Sequence, residues 1–315
     1  MEKIKKIAIT GPTGAIGMAL ISLCIEKGIH VVAICHKGSK RIEQIPSHSL
    51  VSIWELDLDE MGEVSDKGAV PQEMTGCQVF YHFAWAGTFG DVRNNMPLQV
   101  ENIRCALDAV ILAEKLGCNT FIGAGSQAEY GRVEGLLAAQ TPVNPENGYG
   151  MAKLCVGQMT RQLCQSRGIR HIWIRILSVY GPYDGENTMV SATLRKLAQG
   201  ERASFTPAEQ KWDYLYSADA ARAMYLLGER GQDGKVYVLG SGQVRPLKEY
   251  IEIMAQAVTD RFEKKCELGI GDIPYGKNQV MYLGADISEL KEDTGFEPET
   301  DFRQGIERMI DLWVK

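Results

Sequence analysis

The fold is decided by the stretch Ile7-Ala8-Ile9-Thr10-Gly11-Pro12-Thr13-Gly14-Ala15-Ile16-Gly17. An apolar strand pattern leads into three glycines, and an apolar helical pattern follows them. Gly11 permits a tight turn, Gly14 lets the backbone approach a ligand, and Gly17 lets the helix pack closely on the sheet. Free N–H groups and the positive dipole end of the helix then favour phosphate. This loop predicts a dinucleotide site, formed by Gly11, Thr13, Gly14, Ala15, Ile16 and Gly17.

Short β-rich runs alternate with longer helical patterns through the first half of the chain. The predicted strands are Ile4–Thr10, His30–Cys35, Leu50–Leu56, Gln78–Ala84, Asn119–Ala124 and Arg170–Leu177. The predicted helices, each followed by glycine, are Ala15–Lys27, Pro97–Leu116 and Gly148–Arg167. This alternation is typical of an α/β fold with a doubly wound parallel sheet, the Rossmann arrangement. We assign residues 1–181 to that domain. Residues 182–315 mainly form a smaller C-terminal α/β substrate lobe, with some segments returning to the first domain.

Composition narrows the class of partner. The chain has 315 residues, 45% of them hydrophobic, and a net charge of −6, as expected of an ordinary globular protein. An acidic chain is expected to bind neither nucleic acid nor an anionic membrane surface. Its eight cysteines form no metal-site pattern, so we expect no metal and a reducing, cytoplasmic location. The apolar start is too short for an export signal, and no apolar run approaches the ~20 residues of a membrane helix.

The residues after the second predicted strand indicate which dinucleotide binds. An NAD site places a carboxylate there for the ribose hydroxyl, whereas an NADP site offers cations to the 2′-phosphate. This chain has no carboxylate before Glu43. NADP(H) is therefore favoured, with NAD(H) possible and a merely solvated basic loop as the alternative. The residues expected to hold the 2′-phosphate are His36, Ser39, Lys40 and Arg41.

Further cofactor contacts are expected where other strands end, because the carboxyl ends of parallel strands meet at the ligand-binding edge. Asp57 is expected to accept a hydrogen bond from the adenine amine. The small residues at 84 and 86 would let the cofactor lie flat, and Trp85 is expected to contact nicotinamide or substrate. The residues predicted at these strand ends are Asp57, Leu58, Ala84, Trp85, Ala86, Leu177 and Ser178.

The predicted catalytic residues are Ser126, Tyr149 and Lys153. Tyr149 and Lys153 are four residues apart, hence on one helix face. A free tyrosine, with a pKa of ~10, is a poor base near neutrality. A neighbouring ammonium and an oxidised nicotinamide ring would stabilise its phenolate, so both residues should also face the cofactor. Ser126 follows the fifth strand and could hydrogen-bond a substrate carbonyl or alcohol.

Taken together, the glycine loop, Ser126 and the Tyr149–Lys153 pair resemble the extended short-chain dehydrogenase/reductase family, in its nucleotide-sugar epimerase/dehydratase branch. Residues 175–182 are similar to that branch's Arg-x-x-Asn-x-Tyr-Gly-Pro, and residues 211–219 to its Arg-Asp-Phe-x-Tyr-Val-x-Asp. The resemblance implies an NAD(P) cofactor and a nucleotide-sugar substrate. It also implies a homodimer that pairs the helices Pro97–Leu116 and Gly148–Arg167 across a two-fold axis.

Departures from the family pattern narrow the reaction. The dehydratases resembled here carry Asp-Glu after the serine or threonine, and this chain carries Gln127-Ala128. Neither side chain can shuttle a proton, so 4,6-dehydration is disfavoured. The sugar-acid decarboxylases also have a glutamate at the position of Ala128, which disfavours that reaction too. Ser178 stands where the family usually has asparagine, and Trp212 where it often has a phosphate-binding arginine.

Reduction of a keto group, at C4 of a nucleotide-linked deoxysugar, is the leading hypothesis. NADPH would supply the hydride, Tyr149 the proton, Ser126 polarisation and Lys153 electrostatic support. One alternative is an NAD(P)-dependent nucleotide-sugar 4-epimerase. Another is a non-catalytic NADP-sensing regulator, which would have no need of the Tyr-Lys pair. The candidate substrate contacts are Trp85, Ser126, Gln127, Thr188, Lys211 and Arg222, with Arg245 as a further cation for the diphosphate.

Overall fold

The computed structural model describes residues 3–314. Its strands are β1 (Lys6–Thr10), β2 (His30–Cys35), β3 (Val51–Glu55), β4 (Val79–His82), β5 (Thr120–Ser126), β6 (Leu136–Leu137), β7 (Arg170–Ile176), β8 (Ser178–Tyr180), β9 (Ala203–Phe205), β10 (Lys211–Trp212), β11 (Tyr214–Tyr216), β12 (Lys235–Leu239), β13 (Arg245–Pro246), β14 (Leu268–Ile270) and β15 (Gly284–Ala285). Its helices are α1 (Ala15–Glu26), α2 (Met61–Asp66), α3 (Met96–Lys115), α4 (Gly148–Ser166), α5 (Met189–Gln199), α6 (Ser217–Arg230), α7 (Leu247–Phe262), α8 (Ser288–Thr294) and α9 (Phe302–Val314).

A seven-stranded parallel sheet forms the centre of the fold, in the order β12-β7-β5-β4-β1-β2-β3. The prediction of a doubly wound α/β fold is confirmed. Six of the seven strands coincide with predicted runs to within a few residues. The seventh, β12, comes from the C-terminal half and pairs in parallel with β7. The fifth strand extends to Ser126, so this residue ends β5 rather than following it.

Alternating side chains along the strands build a core on each face of the sheet. On β1, Ile7 and Ile9 belong to the core on the side of α1 and α6, while Ala8 faces the core under α2 and α3. Helices α3 and α4 pack against each other on that second side. Both faces of every central strand are thereby covered, which explains why the strands read as nearly continuous apolar runs.

The sheet order reverses direction between β1 and β4. These strands are direct neighbours, with Ile9 paired to Tyr81. Connections leave them toward opposite sides, which opens a crevice beyond their carboxyl ends. The glycine loop after β1 and the segment after β4 both border this crevice.

The C-terminal lobe packs around a separate apolar cluster that includes α5, α7 and α9. Four two-stranded pairs lie outside the central sheet: β9 with β14 and β10 with β13 within the lobe, and β8 with β11 and β6 with β15 between the lobe and the first 181 residues. Within residues 3–314, no helix combines the length and apolar character needed to cross a membrane.

Candidate active site

The glycine loop is shaped for close approach of a ligand. Gly11 has a φ of +67°, and a Cβ there would lie 2.8 Å from the backbone nitrogen of Ala84. A Cβ on Gly17 would lie 2.6 Å from the carbonyl oxygen of Pro12. A Cβ on Gly14 would meet only one atom within 4 Å, so its outer side is open. Helix α1 begins there with no side-chain cap and no acidic residue in its first turn. The loop therefore fits a pyrophosphate at the free N–H groups of the helix.

Arg41 reaches from the cationic segment to the glycine loop. Its guanidinium donates to the carbonyl oxygens of Thr13 and Tyr183. It therefore ties the segment after β2 to the glycine loop and to the segment after β8. Ser39 precedes a short 3₁₀ helix that starts at Lys40, and the Lys40 side chain is exposed.

The predicted His36 and its neighbour Lys37 contact acidic residues that follow β3. Lys37 Nζ donates to Glu60 at 2.6 Å, and His36 Nε2 lies 3.7 Å from Asp57 Oδ1. Asp57 also accepts a hydrogen bond from the Lys37 backbone N–H at 2.9 Å. Its carboxylate therefore holds the turn after β2 in place, in addition to any contact with adenine. Leu58 starts the 3₁₀ turn that follows Asp57.

Ser126, Tyr149 and Lys153 converge on one cavity of about 230 Å³. Tyr149 and Ser126 both line this cavity, and Lys153 Nζ donates to the carbonyl oxygen of Ala124 at 2.7 Å. The cavity lies at the carboxyl ends of β5 and β7, beside the start of α1. Its lining residues are Ile16, Phe83, Trp85, Thr88, Ala124, Gly125, Ser126, Tyr149, Lys153, Ile176 and Leu177.

Burial sets the electrostatics of Tyr149 and Lys153. It raises the pKa of Tyr149, opposed by the neighbouring Ser126 hydroxyl and the nearby charge of Arg93. It lowers the pKa of Lys153 to about 7, partly offset by the Glu129 carboxylate. A bound oxidised nicotinamide would add positive charge beside Tyr149, which favours its phenolate further.

Trp85 lines the cavity and contacts both Lys153 and Tyr149. Lys153 Nζ lies 3.7 Å from the centroid of its ring, a cation–π contact, and the Tyr149 ring meets it edge-on at 6.0 Å. The indole Nε1 donates to Gln99 at 3.0 Å. The next residue of the loop is also fixed, because Asn102 exchanges two hydrogen bonds with the backbone of Ala86.

Glu129 was not among the predicted site residues. Its fully buried carboxylate accepts from the Ser126 backbone N–H at 2.9 Å, from Trp173 Nε1 at 3.0 Å and from Arg175 Nε at 2.8 Å. It therefore fixes the backbone of Ser126. A signal was present in the sequence, because Trp173 and Arg175 share one face of β7 and a buried guanidinium needs an acidic partner.

Two of the residues that depart from the family pattern, Ser178 and Trp212, are in contact. Trp212 Nε1 donates to Ser178 Oγ at 2.8 Å. The pair joins the β8 segment to the C-terminal lobe. Leu177, directly before Ser178, lines the catalytic cavity.

The remaining predicted substrate contacts lie outside the cavity lining. Thr188 Oγ1 donates to Asp184 Oδ2 at 2.8 Å in the segment before α5. Lys211 is exposed on β10. Arg222 is engaged on α6 by an ion pair with Asp219 at 3.2 Å, so the structure does not bring it to the cavity.

A dinucleotide cradle and a Ser-Tyr-Lys trio in one crevice define an NAD(P)-dependent oxidoreductase of the short-chain dehydrogenase/reductase class. The chain belongs to the NAD dependent epimerase/dehydratase family, whose model matches residues 7–240. This confirms the family resemblance drawn from the motifs.

Three known proteins illustrate the range of this family. A dTDP-4-dehydro-6-deoxyglucose reductase of Escherichia coli is 23% identical, with 96% of each chain covered. The UDP-N-acetylglucosamine 4-epimerase of Methanobrevibacter ruminantium, solved with UDP-N-acetylmuramic acid, has a TM-score of 0.85 at 20% identity, covering 99% of both chains. The UDP-glucose 4-epimerase of Thermotoga maritima, solved with UDP-glucose, has a TM-score of 0.81 at 20% identity, covering 98% of both. Other structures of this fold were solved with NAD or with NADPH.

Proposed function

We propose that this chain is an NADP(H)-dependent oxidoreductase that reduces a keto group, at C4, of a nucleotide-linked deoxysugar. The observation that carries the proposal is the composition of the cavity. Among the described residues, its lining includes Ser126, Tyr149 and Lys153 but no aspartate, glutamate or histidine. Ala128 has no ionisable group, and the Glu129 carboxylate points into the protein toward Arg175. The lining thus offers Tyr149 for proton transfer, with Lys153 beside it, but no carboxylic acid for an acid–base pair, which suits carbonyl reduction better than elimination of water.

Each side chain of the trio has a distinct role in the proposal. When bound, NADPH supplies the hydride. The Tyr149 phenol protonates the oxygen that becomes the new hydroxyl, and Ser126 hydrogen-bonds that oxygen and orients it. Lys153 stabilises the phenolate left behind and lies where it can contact the nicotinamide ribose. Trp85, fixed beside both, packs along the sugar or the nicotinamide.

The NADP(H) preference rests on the segment after β2. No carboxylate ends that strand, and Arg41 lies over the glycine loop at Thr13. A 2′-phosphate would find this guanidinium and the exposed Lys40 within one short segment. The carboxylates of Glu55 and Asp57, which hold the same turn, are the feature that would favour NAD(H) instead.

The substrate class rests on the family. The E. coli relative is named as a reductase of a dTDP-linked 4-keto-6-deoxysugar, which agrees with the composition of this cavity. The second candidate is a 4-epimerase, supported by the M. ruminantium and T. maritima structures. The two differ in cofactor turnover, because an epimerase regenerates its cofactor in each cycle.

We also propose that two copies pair through α3 and α4. Large apolar side chains on these helices are exposed, namely Met96, Val100, Met151 and Met159, and a second copy would cover them. The eight cysteines are all free thiols, which agrees with a cytoplasmic location. Sedimentation equilibrium on wild type and Val100→Glu tests the pairing. A concentration-dependent dimer that the variant weakens supports it, and a wild-type monomer overturns it.

The decisive experiment combines the purified protein with NADPH and dTDP- or UDP-4-keto-6-deoxyglucose. Loss of absorbance at the NADPH band, with one product epimer, supports the proposal, and Tyr149→Phe should lose turnover while still binding cofactor. Interconversion of nucleotide sugars with tightly held NAD and no net consumption would establish the epimerase instead. Cofactor-dependent binding to a protein partner, with neither activity, would establish a regulator.

A further inference from the structure

Arg93 lies against the ring of Tyr149 and has no acidic partner. It belongs to the 3₁₀ turn Gly90–Asn94 between β4 and α3. Its Cζ is 4.8 Å from the Tyr149 ring centroid. Its Nε is buried without a hydrogen-bond partner, and no carboxylate pairs with the guanidinium within residues 3–314. A partly buried, uncompensated cation is costly, so its location beside one particular phenol requires an explanation.

The turn is anchored to the start of the helix that carries Tyr149. Asn94 Oδ1 accepts a hydrogen bond from the Gly148 backbone N–H at 3.0 Å. Gly148 allows this docking because a Cβ there would lie 3.0 Å from the Arg93 carbonyl oxygen and 2.7 Å from Met96 Sδ. The backbone of Arg93 is therefore held against the start of α4, and its guanidinium lies over the Tyr149 ring.

The other charged groups around Tyr149 leave room for a second cation. Lys153 Nζ is 5.8 Å from the ring centroid. The negative charge of Glu129 raises the pKa of Tyr149 and so disfavours its phenolate, although Arg175 forms an ion pair with the Glu129 carboxylate. Arg93 is absent from the cavity lining, so it faces Tyr149 from outside the substrate space. A contact with the phenol explains its location better than a contact with the sugar.

We infer that Arg93 is a positioning residue that stabilises the phenolate of Tyr149 and thereby supports proton transfer. The inference rests on the proposed role of Tyr149 as the proton-transfer group. Lys153 cannot supply this stabilisation alone at every pH, because burial lowers its pKa to about 7. A guanidinium stays charged throughout the working range of an enzyme. Arg93 thus provides a cation that does not titrate.

The test is direct titration of the phenol in the complex with oxidised cofactor, without turnover. Protein labelled with ¹³C at tyrosine Cζ is titrated by NMR, and Tyr149→Phe assigns the signal among the 12 tyrosines. Arg93→Met should raise the apparent pKa of Tyr149 by about 1, as expected for loss of a unit charge at this distance near the surface. Arg93→Lys should keep it near the wild-type value. Arg303→Met, an exposed arginine in an ion pair on α9, is the control.

Activity provides an independent readout. If the protein oxidises the reduced sugar in the reverse direction, the rising limb of kcat against pH should shift to higher pH in Arg93→Met and return in Arg93→Lys. Equal pKa values in wild type and Arg93→Met, or equal shifts in Arg93→Met and Arg93→Lys, would overturn the inference. Arg93→Gln repeats the test if the methionine variant does not fold. Because the titration needs no substrate, it still measures the effect of Arg93 on the pKa of Tyr149 if the proposed reaction proves wrong.

Discussion

Replacement of Glu129 by glutamine should lower the free energy of unfolding, because Glu129 is the buried ion-pair partner of Arg175. It should also slow turnover, because the Glu129 carboxylate accepts a hydrogen bond from the Ser126 backbone N–H. The side chains of the pair are 0% and 7% exposed, with 2.8 Å between Arg175 Nε and Glu129 Oε2. Glutamine keeps one acceptor oxygen but leaves the guanidinium without a counter-charge. Loss of one partner of such a pair costs about 3–5 kcal/mol, and the isosteric amide should cost about 3 kcal/mol.

The expected change in melting temperature follows from chain length. At about 2.1 cal/mol/K per residue, 315 residues give an unfolding entropy near 0.66 kcal/mol/K, so the loss corresponds to about 5 °C. Calorimetry on Glu129→Gln, Arg175→Met and the double variant measures it. The double variant contains no uncompensated charge and should be more stable than the sum of the single losses predicts, by at least about 1 kcal/mol. Strict additivity, or an unchanged melting temperature in Glu129→Gln, would refute the electrostatic reasoning.

Three further outcomes are expected. Gly17→Ala should weaken cofactor binding by about tenfold or more in calorimetric titration, since its Cβ would lie 2.6 Å from the Pro12 carbonyl oxygen; undiminished affinity would contradict this packing. Lys153 has a pKa lowered from 10.5 to about 7, so the unfolded chain binds more protons between these values and wild-type stability should rise with pH there. In Lys153→Met, the free energy of unfolding should lack this rise, which is worth up to about 1.4 kcal/mol per pH unit. Denaturant unfolding at several pH values measures it, and an equal pH dependence in both proteins would argue against a buried lysine with a lowered pKa. Arg41→Ala should weaken NADPH binding by about 10- to 100-fold and change NADH binding little. Fluorescence titration measures both affinities, with Lys67→Ala, at an exposed lysine directly after α2, as the control; equal losses for both cofactors would remove the basis for NADP(H) preference.

Local patterns in the sequence predict the sheet well, and they also predict that Ser126, Tyr149 and Lys153 lie together. The glycine loop requires a positive φ at Gly11 and a close backbone contact at Gly17. The strands are nearly continuous apolar runs separated by helical patterns, as expected of a parallel sheet covered on both faces. Ser126, Tyr149 and Lys153 could be placed together because strand ends and one helix face have fixed positions in that fold. Their convergence on one cavity agrees with the prediction.

Contacts between distant segments could not be predicted in the same way. Whether Glu129 points inward depends on Trp173 and Arg175, more than 40 residues later in the chain. The approach of Arg93 to Tyr149 depends on how one turn docks against the start of α4. Arg222 has the charge expected of a phosphate ligand, yet its guanidinium pairs with Asp219 on its own helix and with Glu299, more than 70 residues later in the chain. In each case side-chain orientation, rather than residue type, decides the role.

Strand β12 has a consequence for how the molecule folds. Residues 235–239 complete the sheet along β7, although the chain has by then passed through part of the substrate lobe. A chain ending at Gly181 would leave the backbone N–H and C=O groups of β7 open along one side, and an open apolar edge promotes aggregation. The central sheet thus needs a strand from the C-terminal half of the chain. We therefore expect the cofactor half and the substrate half to unfold in one cooperative transition.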